Sequence, residues 1–401
     1  MAAATQAEAL ARQIAAALRA RGHAAYLVGG CVRDLLLGRR PKDFDVATSA
    51  RPEEILEVFP GADRVGAHFG VLLVKQDGAA VEVATFRSDH EYRDGRHPER
   101  VSFETDPRED ALRRDFTVNA MFLDPETGGV LDYAGGRDDL ERRVIRTVGD
   151  PAHRFVEDHL RMMRAIRLAA ALDFTIDPGS LSSIQSLAWR ILDVSAERVH
   201  EELVRILRGN RVRRGLKLLG ESGLLRVILP EAVLDEQKLE MIGALRDPSV
   251  PLAMAVVLLG AATSAAPLCR LRFSNEEMER TTALLRHHST FDAVREMSES
   301  ELKRFLRIDH FDDHLELHRI GGGPHHEWAS KKLREYAPGD LWPPRLVTGD
   351  DLALAGFRPG PIFGRILEAV ESAQLERRVA TREEAFDFIR ANFGDMMSVK
   401  A

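Results

Sequence analysis

The chain has 401 residues, which is too long for one typical folding core, so we expect two to four domains. Its hydrophobic content of 44% and charged content of 30% indicate a soluble globular protein, and the net charge of −7 argues against a protein that binds polyanions over its whole surface. The two cysteines, Cys31 and Cys269, lie far apart without a partnering pattern. This cysteine usage predicts a reducing, cytoplasmic environment.

No targeting or membrane segment is predicted. Residues 1–22 lack the ordered basic, apolar and cleavage regions of a signal peptide and predict an amphipathic helix. The 20 residues from 250 to 269 carry no charge, but Pro251, Gly260 and Pro267 interrupt them. We therefore predict a buried helix there and no association with a membrane.

The first 150 residues predict alternating strands and helices. The pattern predicts strands over 24–30, 43–48, 70–76, 79–86, 101–104 and 120–124, and helices over 31–38, 51–59 and 107–119. The strands over 70–76 and 79–86 are expected to pair around a turn at Asp77-Gly78. Residues 87–100, which are polar and rich in arginine, predict a loop.

From Pro151 onward the pattern is almost entirely helical, and it predicts no strand. The Gly/Pro-rich residues 320–328 predict a linker, and residues 337–351 are expected to open a last, small helical region.

The first chemical motif occupies residues 27–48. A buried strand ends at Gly29-Gly30 and a helix begins at once, which allows a phosphate to approach the backbone, and Arg33 lies in the first helical turn. Asp43 and Asp45 are two residues apart on a predicted strand, so both side chains are expected to point to one face. Two carboxylates on one face suit a hard cation such as Mg²⁺.

The second motif is a predicted continuous helix over residues 155–172. Glu157, Arg161 and Arg164 repeat at spacings of three and four and share one face, with Asp158 and Arg167 beside it. One interpretation is an exposed helix with Glu–Arg pairs. The other is base recognition, because a carboxylate accepts from the exocyclic amine of cytosine or adenine while a guanidinium donates to the ring nitrogen, and uracil and guanine reverse both positions.

These residues resemble a known family. The run 27–48, the sequence ALRRDFTVNA at 111–120 and the sequence at 157–167 are similar to the motifs of class II tRNA nucleotidyltransferases and bacterial poly(A) polymerases, members of the polymerase-β-like superfamily. The resemblance implies an α+β fold with a nucleotidyltransferase head of mixed sheet and helices, followed by all-α domains. The expected divisions are a head over 1–150, a neck over 151–220, a body over 221–330 and a tRNA-binding tail over 331–401.

The resemblance also implies roles for individual residues. Asp43 and Asp45 would be the catalytic carboxylates that bind Mg²⁺, and Glu82 is either a third carboxylate or a salt-bridged strand residue. Asp158 and Arg161 would select the base, with Glu157 orienting Arg161. Asp115 would contact the sugar. The remaining nucleotide-binding residues would be Gly30, Arg33, Arg114, Arg164 and Arg167.

The function implied is template-independent, Mg²⁺-dependent addition of C and A from CTP and ATP to the tRNA 3′ end, with release of pyrophosphate, by a monomer or homodimer. An enzyme that adds only A or only CC, a poly(A) polymerase and an inactive RNA-binding module remain alternatives. A shortened loop between Arg87 and Val101 accompanies CC-only activity in the family, and the long loop here favours CCA or A addition. Residues 198–217 hold seven Lys or Arg against two Glu and predict either a phosphate track for RNA or a solvated helix face.

Overall fold

The computed structural model describes residues 6–66, 70–92, 98–246, 248–261 and 264–396. The chain forms two compact units. The first comprises residues 1–239 with 266–273, and the second comprises residues 240–265 with 274–401.

The first unit contains a mixed sheet. The strands of the described residues, in chain order, are β1 (Ala25–Val28), β2 (Asp45–Thr48), β3 (Asp63–Gly66), β4 (Val71–Gln76), β5 (Ala79–Thr85), β6 (Arg87–Tyr92), β7 (Pro98–Phe103), β8 (Met121–Leu123), β9 (Val130–Asp132), β10 (Val144–Ile145) and β11 (Thr175–Ile176). Seven of them form one sheet in the order β3-β4-β5-β2-β1-β8-β9, in which β2 and β5 are parallel and the other pairs are antiparallel.

Helices cover this sheet and then follow it in the chain. Those up to residue 228 are α1 (Gln6–Ala20), α2 (Gly30–Leu36), α3 (Pro52–Val58), α4 (Pro107–Leu112), α5 (Gly136–Arg142), α6 (Pro151–Glu157), α7 (Arg161–Leu172), α8 (Pro178–Leu187), α9 (Ala196–Leu207), α10 (Val212–Glu221) and α11 (Leu224–Ile228). Helix α1 buries Leu10, Ile14 and Leu18, spaced by four residues, and packs on β1 and β5. The amphipathic N-terminal helix is thereby confirmed within the described residues, while residues 1–5 lie outside them.

The predicted hairpin around Asp77-Gly78 is confirmed. Gln76 faces Ala79 across the end of β4 and β5, and Asp77 and Gly78 have positive φ angles of 49° and 79°. A two-residue turn of this kind requires positive φ at both central residues, and the Asp-Gly sequence provides it.

Residues 87–92 and 98–100, predicted as loop, are strand. Strands β6 and β7 pair antiparallel from Arg87 opposite Phe103 to Tyr92 opposite Pro98. The prediction was wrong because backbone pairing forms this hairpin, and its polar side chains give no alternating apolar signal. The centre of the predicted loop, residues 93–97, lies outside the described residues.

The predicted helix over 107–119 is also interrupted. Helix α4 ends at Leu112, and a separate 3₁₀ turn covers Thr117–Asn119. Between them Phe116 is extended, buried and bridged to Thr147. On either side of it, the Thr117 N–H donates to the Arg146 carbonyl at 3.0 Å and the Asp115 carbonyl accepts from the Val148 N–H at 3.2 Å, so these backbone groups pair outside the helix.

The continuous helix predicted over 155–172 is wrong. Helix α6 ends at Glu157, Asp158 has an extended backbone with φ −147° and ψ 105°, and α7 begins at Arg161. The Asp158 carboxylate accepts the backbone N–H of Leu160 at 3.0 Å. Asp158 therefore stabilises the break between α6 and α7. A further short strand, β11, pairs with β10 where no strand was predicted.

The rest of the chain is helical. Its helices are α12 (Glu236–Ala244), α13 (Val250–Leu258), α14 (Ala266–Arg270), α15 (Asn275–His287), α16 (Glu299–Leu306), α17 (Phe311–Ile320), α18 (His326–Glu335), α19 (Pro338–Leu341), α20 (Gly349–Leu354), α21 (Pro361–Leu375) and α22 (Arg382–Phe393). Helix α13 is buried along its whole length, as predicted, and none of the described helices is long and apolar enough to cross a membrane.

Two apolar clusters organise the second unit. One includes Phe311 and Ala329, which lie on either side of the Gly/Pro-rich residues 320–328. Residues 321–325 form the turn between α17 and α18, so the predicted linker connects two helices of one cluster. The other is built from α20, α21 and α22 and includes Leu352, Ile366 and Ile389. The finer division into neck, body and tail stays a prediction.

Candidate nucleotide and metal site

Three carboxylates lie together at one end of the central strands. Asp45 is the first residue of β2 and faces Glu82 on the parallel strand β5. Asp43 is exposed and lies just before the strand that was predicted to include it, and the intervening Phe44 is buried. Burial, Glu82 and Asp43 raise the pKa of Asp45 to about 6, against a smaller opposing effect of Arg114.

The chemistry of this cluster fits a hard divalent cation. All three side chains offer carboxylate oxygens, and a positive charge beside them would offset the repulsion that raises the pKa of Asp45. Within the described residues, no three Asp, Glu, His or Cys side chains already converge as a complete metal-binding group. The pair Asp43 and Asp45 stays the predicted donor set for the metal ion.

Gly29 allows three elements to meet beside these carboxylates. Its φ is +75°, and a Cβ built on it would lie 3.4 Å from the guanidinium of Arg114 and 3.6 Å from Oδ2 of Asp45. A side chain at this position would be strained by the positive φ, and its Cβ would be in van der Waals contact with both charged groups. Gly30 follows as the first residue of α2, and its Cβ position would lie 3.4 Å from the guanidinium of Arg33.

Arg33 and Arg114 are both held in place. Nη1 of Arg33 donates to the side-chain oxygen of Asn119 at 2.7 Å, and its Nε donates to Asp34 at 2.9 Å. Arg114 donates from Nε and Nη2 to the fully buried Asp110, at 3.2 and 2.9 Å. Two oriented guanidinium groups beside the Gly29-Gly30 turn suit an anion with several oxygens, such as a polyphosphate.

Asp115 joins this region to α7. Arg164 donates to its Oδ2 from Nε at 2.9 Å and from Nη2 at 2.5 Å, and the Phe116 N–H donates to its Oδ1 at 2.9 Å. Burial alone would raise the pKa of Asp115, but Arg164, with a further contribution from Arg161, lowers it to about 2. The Asp115 carboxylate is therefore charged and already accepts hydrogen bonds from Arg164 and Phe116. The sugar contact predicted for Asp115 would be added to these bonds.

Further ion pairs orient the residues predicted to read the base. Glu157 accepts from Arg161 at 2.5 Å and from Arg154 at 2.8 Å. Nη2 of Arg198, on α9, donates to Oδ2 of Asp158 at 2.8 Å. The same helix presents Glu202, which is 2% exposed and accepts from Arg167 at 2.6 Å.

Sequence reasoning missed four residues of this arrangement, namely Asp110, Asn119, Arg198 and Glu202. Asp110 carries a usable signal, because it lies three and four residues before Arg113 and Arg114 and binds both. Arg198 and Glu202 also lie four apart on one helix, but their partners are 40 and 35 residues away and no local pattern indicates them.

The basic stretch over 198–217, predicted as a phosphate track for RNA, is largely ion-paired, and its contact with RNA stays a prediction. Six of its seven cations lie within 4 Å of a carboxylate, namely Arg198, Arg205, Arg211, Arg213, Arg214 and Lys217. Much of the local charge excess is therefore compensated within the unit.

Comparison with known proteins identifies the family. The model of the Poly A polymerase head domain matches residues 25–146, and that of the probable RNA and SrmB-binding site of polymerase A matches residues 173–234. The CCA-adding enzyme of Geobacillus stearothermophilus is 34% identical over 384 residues, which is 92% of each chain. The chain belongs to the CCA-adding enzyme family. A second CCA-adding enzyme, from Bacillus cereus (strain Q1), is 32% identical over 93% of this chain and 96% of its own.

Solved structures agree with this membership. The crystal structure of the Bacillus stearothermophilus CCA-adding enzyme in complex with CTP matches with a TM-score of 0.79 and 30% identity, over 98% of this chain and 100% of that one. The Thermotoga maritima CCA-adding enzyme complexed with tRNA matches in fold, with a TM-score of 0.69 and 19% identity over 97% of this chain and 96% of its own. The predicted family, the α+β fold and the nucleotidyltransferase class are confirmed. Nucleotidyltransferases of this family typically use a divalent metal ion.

Proposed function

We propose that this chain adds C and A nucleotides from CTP and ATP to the 3′ end of tRNA and releases pyrophosphate, with Mg²⁺ held by Asp43 and Asp45. The observation that carries the proposal is the Arg164–Asp115 ion pair. It joins α7, the helix that begins at Arg161, to the 111–120 motif that contains Arg114. Relationship to CCA-adding enzymes over 92% of the chain supports the same reaction. Cys31 and Cys269 form no disulfide, which fits the cytoplasmic location that we propose.

The triphosphate would lie against the Gly29-Gly30 turn. Arg33 and Arg114 would bind its oxygens, and Gly30 would let it approach the backbone. Mg²⁺, when bound, would supply activation of the RNA 3′-hydroxyl and neutralisation of charge on the leaving pyrophosphate. Asp43 and Asp45 hold the negative charge that attracts it, and Glu82 strengthens that charge.

Base choice would depend on Asp158 and Arg161. Each Asp158 oxygen already accepts one hydrogen bond, from Leu160 N–H or Arg198, and each keeps a second lone pair for the amine of cytosine or adenine. Arg161 would donate to the ring nitrogen while Glu157 holds it. Uracil or guanine would leave the base-directed hydrogen bond of each group unmade, at a cost of about 1–3 kcal/mol for each lost bond.

Further nucleotide contacts would come from the neighbouring residues of the same network. We assign the sugar to Asp115 and additional contacts to Arg164 and Arg167 on α7. Because Arg164 and Arg167 already pair with Asp115 and Glu202, their guanidinium planes are oriented before the nucleotide arrives.

The proposed reaction is tested with tRNA transcripts that end before CCA, after C and after CC. Each is offered CTP, ATP or both, and products are resolved by length. We expect two C additions and one A addition to the shortest transcript. Failure to use CTP on that transcript would identify an A-adding enzyme, and repeated ATP addition to unrelated RNA would identify a poly(A) polymerase.

The metal assignment has its own test. Replacing Asp43 and Asp45 together by Ala should abolish incorporation while tRNA binding, measured by filter retention, stays within about twofold of the unchanged protein, since the carboxylates bind cation and not RNA. Glu53→Ala, which removes an exposed carboxylate from α3, is the matched control and should leave both properties unchanged. Incorporation that survives the double replacement would refute the assignment.

A further inference from the structure

Asn119 lies between two charged groups of the site. It is the last residue of the 3₁₀ turn that precedes β8. Its side-chain oxygen accepts from Nη1 of Arg33 at 2.7 Å, and its side-chain nitrogen donates to Oδ1 of Asp115 at 3.4 Å. Arg33 is 86 residues away in the sequence, so the contact is formed only by the fold.

The chemistry of these partners favours a side chain at position 119 that both accepts and donates hydrogen bonds. A guanidinium can only donate hydrogen bonds, and a carboxylate can only accept them. Asn119 satisfies both at once, because one end of its amide accepts and the other donates. Aspartate would lose the donor and would place a second negative charge beside Asp115, while leucine, of nearly the same size, would lose both bonds.

Asn119 also contacts the second phosphate-binding arginine. Its backbone oxygen lies 3.4 Å from Nη1 of Arg114. Through Asp115 its side chain reaches Arg164, so the contacts run from Arg33 through Asn119 and Asp115 to α7.

We propose that Asn119 is a positioning residue that fixes the Arg33 guanidinium for the triphosphate and joins it to the Asp115–Arg164 pair. The proposal rests on the proposed function, in which Arg33 binds the triphosphate. It assigns Asn119 no contact with the reacting atoms. Its effect is therefore expected in binding of the polyphosphate group and not in the rate of the chemical step.

The experiment compares Asn119→Leu and Asn119→Asp with the unchanged full chain. We measure the Kd of inorganic tripolyphosphate by calorimetry, and KM and kcat for CTP on the shortest tRNA transcript. For Asn119→Leu we expect Kd and KM to rise about tenfold while kcat changes less than about threefold, because a side-chain hydrogen bond to a charged group is lost. Asn119→Asp keeps the size of the side chain, and its negative charge should weaken tripolyphosphate binding at least as much.

A double replacement tests whether Asn119 acts through Arg33. In an Arg33→Ala background, Asn119→Leu should cause no further rise in the Kd of tripolyphosphate, whereas independent effects would add. Asn275→Leu, at an exposed position at the start of α15, is the control and should leave Kd and KM unchanged.

The outcomes separate this proposal from the proposed function. A merely structural role would lower the melting temperature and the active fraction, and would leave the tripolyphosphate Kd of the folded protein unchanged, which would overturn the positioning role. If tripolyphosphate binding falls as expected but the unchanged chain adds no nucleotide to tRNA, the proposed function fails and the role of Asn119 stands. If tRNA is extended normally and both Asn119 variants bind tripolyphosphate as the unchanged chain does, the role of Asn119 fails.

Discussion

The side chain of Asp45 lies near two other carboxylates, Asp43 and Glu82, and is largely buried. These surroundings raise its pKa to about 6, so the fold holds a charged carboxylate at neutral pH under conditions that disfavour it. A group that is unfavourable for folding and adjacent to like charges is expected where a protein binds a cation. The same residue should therefore have opposite effects on stability and on activity.

We predict that Asp45→Asn stabilises the metal-free protein. The raised pKa means that the folded state binds the proton more tightly than the unfolded state, so the native carboxyl group loses stability as the pH rises from about 4 through about 6. At pH 8 with a chelator, Asp45→Asn should raise the free energy of unfolding by about 2 kcal/mol, and at pH 4 it should change little. Denaturant titrations at both pH values measure this difference.

Asp43→Asn is the matched comparison, because Asp43 is exposed and its replacement should stabilise the protein less. Both variants should lose nucleotide incorporation. A loss of stability in Asp45→Asn at pH 8 would contradict the electrostatic account of this site.

At the break between α6 and α7, the sequence pattern predicted the ion pair but not the backbone conformation. The spacing of Glu157 and Arg161 predicted an ion pair, and the pair is present although the helix is interrupted between them. The break depends on Asp158, whose carboxylate binds Leu160 N–H locally and Arg198 from another helix. A local pattern cannot indicate the second contact, because the two residues are 40 positions apart.

We predict that Arg198→Met relaxes base choice. Methionine keeps much of the apolar stem of the side chain and removes the guanidinium that orients Asp158. The preference for CTP over UTP, measured as the ratio of kcat/KM values on the shortest tRNA transcript, should fall about tenfold. Arg208→Met, at the exposed end of the same helix, should leave the ratio unchanged, and an equal fall in both variants would exclude a specific effect on Asp158.

The two units of the chain differ in how much of their structure the sequence predicted. In the first unit, the motifs that predicted Gly30, Arg33, Asp43, Asp45 and Arg114 also bring them near one sheet end, because β1, β2 and α2 are short and adjacent in sequence. Asn119 and Glu202 were missed because their contacts with Arg33 and Arg167 join residues that are distant in sequence. In the second unit the helices were predicted, but the two clusters that organise them depend on long-range packing that helical periodicity does not specify.

The second unit also buries titratable histidines. His314 and His318 are each 3% exposed, and His318 stacks on Phe291 with ring centroids 4.3 Å apart. Burial, followed by the neighbouring His287 or His288, lowers the pKa of each to about 4. Since the unfolded chain takes up protons near pH 6.5 and the folded unit does not, stability should fall as the pH falls from 6.5 toward 4.

We predict that acidification from pH 7.5 to 5 lowers the free energy of unfolding of this unit by about 4 kcal/mol, about 2 kcal/mol for each histidine, and that replacing His314 and His318 together by Phe removes most of that loss. Phenylalanine keeps an aromatic ring in each position and cannot titrate. Hydrogen exchange of peptides from 274–396 at both pH values measures the change. His153→Gln, at an exposed position, is the control, and an unchanged pH dependence in the double Phe variant would refute the prediction.

The crowding of Asp43, Asp45 and Glu82 has a practical consequence for studying this protein. A divalent cation that binds the cluster in the native state and not in the unfolded chain would relieve their mutual repulsion and raise the free energy of unfolding by RT ln(1 + L/Kd), where L is the free ion concentration. If the proposed metal site is correct, the thermal stability of the protein reports binding of the ion. A series of thermal melts in Mg²⁺, Mn²⁺ and Ca²⁺ would rank these ions by affinity in the absence of tRNA and nucleotide.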